Sequence, residues 1–319
     1  MIPRWARALA GITLGVVLLW FATRQIDLSQ VAAAILDAHV PDLAMALFLY
    51  WSDIAVRCVR WRLLIAQETR LSYAQVARAL VVGYAVNNVL PARLGELFRA
   101  DYVARHAAIT RAGALGSIVV ERLLDALILV TVFGLGLLSL PGLLGVALKG
   151  AAMAAAAAVL VGGGIVVAAS YLRDGGTQTR FAGLRRRLAP MVGAFGIVRG
   201  RGIVAPLLLS CVIWFLESGA IYFIVQSAHV DPALSALCVI VGAASLSTLL
   251  PSAPGYVGSL QAAFMIAFSA LGLNTILGIA AATLMQGVLI GSMTVVGLVV
   301  LAGSSVSGRR DGAAPSLTA

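Results

Sequence analysis

Long apolar stretches alternate with short polar segments along most of the chain. Because about 20 apolar residues cross a bilayer core of roughly 30 Å, each long stretch predicts a transmembrane helix. Uninterrupted stretches predict six full crossings, near residues 5–23, 41–63, 113–138, 143–172, 203–227 and 275–302. The pattern therefore predicts an all-α, polytopic membrane protein.

Two further apolar stretches, 71–110 and 233–272, are each interrupted by the sequence Leu-Pro-x-x-x-Gly, with prolines at Pro91 and Pro251. Proline removes a backbone donor and ends or kinks a helix. Broken backbone at membrane depth must be covered by protein or line a wet cavity. We expect each stretch to form a re-entrant helical hairpin that returns to the side it entered from. Two full crossings would satisfy the same pattern.

The distribution of arginine predicts which loops face the cytoplasm. Basic residues concentrate near both chain ends and in the loop at 173–201, whereas the 24–40 loop has little net charge. We therefore expect cytoplasmic N- and C-termini, and an outside location for the 24–40 loop. The first hairpin would then enter from the cytoplasm and the second from outside.

These assignments predict an inverted repeat, which is a recurrent transporter architecture. Its halves cover about 41–138 and 203–302 and are linked by 143–201. We expect one integral membrane domain over residues 1–303, followed by a disordered cytoplasmic tail at 304–319. Matching breaks in the two halves point to a substrate site between them.

Composition excludes a soluble globular domain, because 61% of the 319 residues are hydrophobic and only 11% are charged. The net charge of +10 would suggest nucleic acid in a soluble protein. Here the basic residues flank membrane spans, so we expect lipid headgroups and no nucleic-acid partner.

No HExxH, Walker A, CxxC or GxSxG motif occurs. We expect no catalytic residue, metal or cofactor.

The first candidate substrate-binding cluster surrounds the break in the first hairpin. Its members are Asn87, Asn88, Pro91, Arg93, Gly95, Glu96 and Arg99. Ionisable groups at membrane depth are costly and are therefore candidate functional residues. Arg93 and Arg99, with free amides at the start of the second half-helix, could cradle a phosphate. Alternatively, both arginines are orientation-setting anchors with Glu96 as their local partner.

A second cluster lies on the predicted 113–138 span, where Glu121, Arg122 and Asp125 fall on shared helical faces. The alternative to a transport role is a polar clamp between helices. On the 41–63 span, Asp53 and Arg57 are four residues apart. Arg60 and Arg62 are expected to extend to the cytoplasmic headgroups instead.

Glu217 is the lone acidic residue of its span, and it could be a proton-coupling carboxylate or a protonated packing residue. The second break is almost uncharged and is expected to act as a neutral gate. Its candidate residues are Pro251, Ser252, Gly255 and Tyr256.

Three segments resemble the family built on the lysylphosphatidylglycerol synthase transmembrane region. They are residues 87–99, 120–125 and 251–258, in that order along the chain. The resemblance covers nearly the whole chain and implies a lipid flippase. In some members this region is joined to a soluble aminoacyl-transfer domain, and we expect no lysyl transfer here. Stand-alone relatives are linked to hopanoids and polyprenyl-linked glycans, so the resemblance leaves the lipid open.

The leading hypothesis is a transporter of the bacterial inner membrane that moves a phospholipid, hopanoid or polyprenyl-linked amphiphile between leaflets. One alternative is a membrane enzyme acting on a lipid headgroup, with Glu121 and Glu217 as acid–base candidates. Another is a non-catalytic partner of lipid or glycan biosynthesis enzymes. A homo-oligomer fits any of the three.

Overall fold

The computed structural model describes residues 28–65, 71–90, 94–140, 201–248 and 253–310, with the isolated positions 13, 142 and 145. These residues form helices and turns, and no strand occurs among them. The helices are α1 Leu28–Leu36, α2 Val40–Ile65, α3 Tyr73–Val89, α4 Leu94–His106, α5 Arg111–Leu138, α6 Val204–Ser227, α7 Leu234–Ser247, α8 Ser259–Ala270, α9 Thr275–Met285 and α10 Gly291–Arg310. Short 3-10 turns cover Arg201–Ile203 and Pro254–Tyr256, and a π turn over Gln286–Ile290 joins α9 to α10.

Several predicted features lie outside the described residues. They are the spans at 5–23 and 143–172, apart from the isolated positions, and the candidate residues Pro91, Arg93, Pro251 and Ser252. The end of α10 at Arg310 falls within the segment 304–319 that the sequence predicts as a tail. The remainder of that segment also lies outside the described part.

Local sequence signals explain where the helices begin and end. Ser72 caps α3 through the amide of Gln75, and Gln75 returns a side-chain contact to the amide of Ser72. Thr110 caps α5 through the amide of Gly113. Leu90 precedes a proline and has extended backbone angles, as expected for that position. The breaks predicted from the sequence therefore fall between α3 and α4 and between α7 and α8.

Within the described part of the chain, two helices are long and apolar enough to cross a membrane, namely Val204–Ser227 and the continuous Thr275–Gly303. The α1–α2 pair, bent by 81°, would make a third candidate. Helices α2 and α5 have 26 and 28 residues but carry several charges. Five of those charged residues are buried and paired inside the protein, as described below, which lowers their cost at membrane depth. They are Asp53, Arg57, Arg60, Glu121 and Asp125. The number of six full crossings remains a prediction.

The prediction of a loop over residues 24–40 is wrong in part, because Leu28–Leu36 forms helix α1. Val31 of α1 is buried against Ile279 and Ala280 of α9. The bend between α1 and α2 is fixed by the amide of His39, which donates to the carbonyl of Ser227 at 2.9 Å. The alanine-rich α1 is thus held by packing against the second half of the chain.

The contacts between helices follow a two-fold pattern, while the inverted repeat itself stays a prediction. Helix α3 packs on α10, and its counterpart α7 packs on α5. Helices α2 and α6 pack against each other, each hairpin closes on itself, and α4 and α8 contact the helix that follows them. The pair α2–α6 is antiparallel, since His39 meets Ser227 while Arg60 meets Ser210. Antiparallel pairing of equivalent helices is what an inverted repeat requires.

The two breaks lie beside the π turn. Asn88, at the end of α3, donates to the Thr294 hydroxyl at 3.0 Å and to the Ile290 carbonyl at 3.4 Å. The 3-10 turn Pro254–Tyr256 contacts both α3 and the π turn. Elements from opposite halves therefore converge at one place in the fold.

Candidate functional site

The centre of the candidate site is a chain of ion pairs that joins α2, α4, α5 and α6. We call it the ion network, and its members are Asp53, Arg57, Arg60, Glu96, Arg99, Glu121, Arg122, Asp125 and Glu217. These residues come from four helices, and the pairs join positions up to 160 residues apart. Their pairing satisfies charges that would otherwise be costly inside an apolar protein.

Arg57 of α2 contacts three carboxylates. Its Nε donates to Asp53 at 2.8 Å, and its Nη2 donates to Glu217 of α6. Its Nη1 lies 3.8 Å from Asp125 of α5. The predicted Asp53–Arg57 stripe is therefore present, and Glu217 joins it from the other half of the chain.

The prediction that Arg60 extends to the headgroups is wrong, because its side chain is completely buried. It donates to Asp125 at 2.5 and 3.2 Å and to the Ser210 hydroxyl at 2.8 Å. Its Nη2 also lies 3.6 Å from Glu121. Asp125, on a distant helix, neutralises Arg60 and so stabilises its buried position. Arg62, two residues further along α2, donates to the Leu71 carbonyl instead.

Arg99 of α4 forms a two-point pair with Glu121 of α5, at 2.8 and 3.3 Å. Its guanidinium lies 4.1 Å from the ring centre of Trp61, and both side chains are fully buried. Trp61 is oriented by its own bond to the Ser117 hydroxyl at 3.1 Å. Arg99 is thus enclosed by protein and holds α2, α4 and α5 together, and direct contact with a phosphate is not available to it in this conformation.

The network reaches the surface at three residues, which we call the exposed rim: Glu96, Arg122 and Glu217. Their side chains are 26%, 36% and 25% exposed, whereas Arg57 and Asp125 are about one-tenth exposed. Arg122 donates to Glu121 at 3.0 Å and lies 3.5 Å from Glu96 and 3.7 Å from Asp125. A ligand can therefore meet both charge signs at the rim without entering the buried part.

The first hairpin is closed by small residues and an asparagine. The amide of Gly95 donates to the Asn87 side chain at 2.7 Å. A Cβ on Gly95 would overlap the carbonyl oxygen of Gly83 on α3. Glycine is thus required for close backbone approach, and the Gly95 amide is occupied by Asn87. That amide cannot also serve the predicted phosphate cradle.

The second break is held by two glutamines. Gln286 of the π turn donates to the Gly255 carbonyl at 2.8 Å and accepts from Gln261 of α8 at 2.5 Å. Gly255 and Tyr256 both have positive φ, at 67° and 61°. Positive φ is uncommon for a bulky residue such as tyrosine. The turn is uncharged among its described residues, and its role as a gate stays a prediction.

The sequence predicts three clusters of acidic and basic residues, but it does not predict that they are connected. The structure unites Asp53, Arg57, Glu121, Arg122, Asp125 and Glu217 with Glu96 and Arg99. Asn87, Asn88, Gly95, Gly255 and Tyr256 lie at the breaks, outside the network. Four further residues belong to the site but are not among the candidates from the sequence, namely Arg60, Ser210, Gln261 and Gln286. A polar side chain inside an apolar span was the available signal for each.

Among the described residues, no group of three or more His, Cys, Asp or Glu side chains has an arrangement that could hold a metal ion. The carboxylates of the network are paired with guanidinium groups instead.

The family model for the lysylphosphatidylglycerol synthase TM region matches residues 8–297. The chain belongs to this family. Membership in the lysylphosphatidylglycerol synthase TM-region family agrees with the resemblance of the three segments. Together with the apolar helices, it indicates a multi-pass membrane protein.

This family member is also similar to the glycosyltransferase AglD of Haloferax volcanii. The two are 31% identical over 155 residues, which cover 47% of this chain and 23% of the relative. The chain therefore spans less than a quarter of the length of that protein.

Proposed function

We propose that this protein moves an amphiphilic lipid between the leaflets of a membrane. The observation that carries the proposal is the ion network, which joins the two repeated halves and opens to the surface only at its exposed rim. Family membership and the glycosyltransferase-named relative indicate lipid or glycan biosynthesis or transport as the setting.

The physical problem in lipid movement is the passage of a polar headgroup through an apolar layer. Charged groups at this depth are costly, and they are retained where they face protein or a polar pathway. The rim offers Arg122, which lies 3.5 Å from Glu96, and the carboxylate of Glu217, which pairs with Arg57. Arg122 is the most exposed arginine side chain of the network and would take a phosphate oxygen. Acyl or prenyl tails would stay in the surrounding lipid.

The buried pairs would keep this rim in position. Arg99 is locked against Glu121 and Trp61, and Arg60 is locked against Asp125. Arg99 therefore acts as a positioning residue rather than as a headgroup ligand. The predicted role of Arg93 stays a proposal, since Arg93 lies outside the described residues.

The convergence of the two breaks supplies an element that could move. The second break is attached to α8 and the π turn through Gln261 and Gln286, whereas α3 of the first hairpin is attached to α10 through Asn88. Exchange of these few hydrogen bonds would let one hairpin shift relative to the other. Such rearrangement around a fixed site is the usual form of alternating access.

The test is movement of fluorescent phospholipid and polyprenyl-phosphate probes in vesicles that contain the purified protein. We expect Arg122→Gln to slow the movement of an anionic probe by at least about tenfold, as loss of a charged hydrogen bond predicts. Arg105→Gln is the matched control, because Arg105 pairs with Asp101 on the surface. Folded protein that moves none of the probes would overturn the proposal.

A second candidate is a supporting subunit for an enzyme that builds polyprenyl-linked glycans, favoured by the name of the relative. In that case Arg122→Gln would leave glycan assembly intact in cells, whereas substitutions on an exposed helical face would impair it. A location in the bacterial inner membrane with both termini cytoplasmic belongs to the proposal in either case.

A further inference from the structure

Two carboxylates from opposite halves of the chain share one arginine. Asp53 lies 13 residues after Val40, the start of α2, and Glu217 lies 13 residues after Val204, the start of α6. Both positions are about 20 Å along their helix axes. Asp53 accepts from Nε of Arg57, and Glu217 accepts from Nη2 of the same guanidinium. These two nitrogens are neighbouring donors on one edge of the group.

The charges at this end of the network do not balance. Asp125 has Arg60 as its main partner, and Glu121 has Arg99, while Glu96 lies beside Arg122. Each of those three carboxylates can be assigned its own guanidinium. Only Arg57 remains for both Asp53 and Glu217, so the described residues carry one excess negative charge there.

The remaining groups around the pair do not supply a second cation. On α2 itself, Tyr50 brings a phenol into the electrostatic surroundings of Asp53 and Glu217, and α3 contributes Tyr84 near Arg57. Helix α5 contributes Asp125, Arg122 and Glu121. Helix α7 brings only Cys238, and α9 contains no titratable residue. Arg122 is already assigned to Glu96, so among the described residues the excess charge is left with phenols and further carboxylates.

One oxygen of the pair lacks any partner. Asp53 is 2% exposed, and its Oδ1 has no hydrogen bond. A buried carboxylate oxygen without a donor is costly as part of an anion and much less costly in a neutral acid. Glu217, in contrast, is one-quarter exposed. The pair thus combines a buried position that disfavours charge with an accessible one that can exchange with water.

We propose that Asp53 and Glu217 form a proton-binding site, at which one proton is held by the two carboxylates that share Arg57. This inference rests on the proposed lipid transport and adds a coupling ion to it. A proton from water adds to a carboxylate oxygen and neutralises the excess charge. Its release restores two carboxylates on one guanidinium, which repel each other.

Protonation gives the site two arrangements. When one carboxyl is neutral, Arg57 forms a balanced pair with the other. When both are charged, α2 and α6 are pushed apart at the point where the two halves contact each other. Uptake on one side of the membrane and release on the other would bias lipid movement in the direction of the proton gradient. A two-state element that a ligand biases is what coupling requires.

The direct test does not depend on transport. Infrared difference spectra of the purified protein, between an alkaline buffer and one no more acidic than about pH 6, report a carboxylic-acid C=O band when a carboxylate takes up a proton. Ordinary exposed carboxylates, with pKa values of about 4, stay ionised throughout this range. We expect one such band in the parent protein. It should be lost in Asp53→Asn and lost in Glu217→Gln, because either change leaves Arg57 with a single carboxylate.

Glu96→Gln is the matched control, since Glu96 has nearly the same exposure as Glu217 but lies beside its own arginine. The band should persist in this variant. Size-exclusion profiles and helical circular dichroism establish that each variant is folded, and Glu217→Gln serves if Asp53→Asn does not fold. Absence of the band from the parent, or its persistence in both site variants, would overturn the proposal.

Transport in vesicles separates this proposal from the broader one. With a pH gradient imposed, lipid movement by the parent should accelerate several-fold, and Glu217→Gln should lose that response. Lipid movement that does not change with the pH gradient would agree with transport but contradict its coupling to protons. Absence of lipid movement under every condition contradicts transport, while the infrared band still tests the proton site.

Discussion

Arg60 of α2 donates to both carboxylate oxygens of Asp125 on α5, at 2.5 and 3.2 Å, although the two residues are 65 positions apart. The guanidinium is completely buried. This pair joins α2 to α5 at the middle of the ion network. Arg57 lies near Asp125, and Glu121 lies near Arg60.

Removing one member of this pair should be more damaging than removing both. Arg60→Met leaves Asp125 buried with weaker partners, and we expect a loss of about 3–5 kcal/mol in the free energy of unfolding. The double variant Arg60→Met with Asp125→Leu should recover part of that loss. Unfolding in detergent, followed by circular dichroism, measures the three variants.

Arg105→Ala is the surface control for this measurement, because its pair with Asp101 is largely exposed. Exposed pairs contribute about 0–1 kcal/mol. Equal destabilisation by Arg105→Ala and Arg60→Met would contradict a structural role for the buried pair.

Gly95→Ala should force the first hairpin open. The added methyl group would overlap the Gly83 carbonyl oxygen and lie 2.7 Å from the Asn87 side-chain oxygen. Overpacking of this kind costs about 1–3 kcal/mol, and we expect a lower thermal midpoint together with faster protease cleavage near residue 92.

The matched control is Gly134→Ala on α5, where a Cβ meets nothing within 4 Å. Alanine is favoured over glycine inside a helix by about 1 kcal/mol. This variant should therefore be neutral or slightly stabilised. A fall in stability as large as that of Gly95→Ala would argue against the close approach.

Gln286→Leu should loosen the second break. It removes the donor to the Gly255 carbonyl and the acceptor for Gln261. We expect faster hydrogen exchange of the amides at 253–258, since this part of the chain then lacks its tie to the π turn. Gly287→Ala, next in sequence and with open space around its Cβ, should leave exchange at those amides unchanged.

Labelling of single cysteines should place the two breaks on opposite sides of the membrane. Leu90 and Val257 flank the breaks and are 44% and 39% exposed. In a background without Cys58, Cys211 and Cys238, a charged maleimide should reach Leu90→Cys from the cytoplasm and Val257→Cys from outside. Labelling of both from the same side would contradict the inverted repeat.

Apolar length and proline positions predict much of this fold. The 41–63, 113–138 and 203–227 stretches correspond to α2, α5 and α6 within two residues at each end. The hairpins divide where Pro91 and Pro251 predict a break. These features are local, since a helix of given length needs only its own apolar residues and its own breakers.

The ion network could be predicted only in part. The i,i+4 pair of Asp53 and Arg57 follows from spacing alone, whereas the burial of Arg60 depends on Asp125 and Ser210. Sequence spacing cannot say which distant helix supplies a partner. The same limit applies to α1, whose stability comes from contact with α9.

The antiparallel pair α2–α6 also bears on how the protein enters a membrane. Arg57 and Arg60 find partners on α5 and α6, which are synthesised 65 to 160 residues later. Each unpaired charge at the centre of a helix costs about 2.5–3.5 kcal/mol during insertion. Newly made α2 therefore avoids this free-energy cost if it stays at the insertion machinery until its acidic partners have been synthesised. Pairing of the charges on α2 is then complete only after α5 has supplied Asp125 and α6 has supplied Glu217.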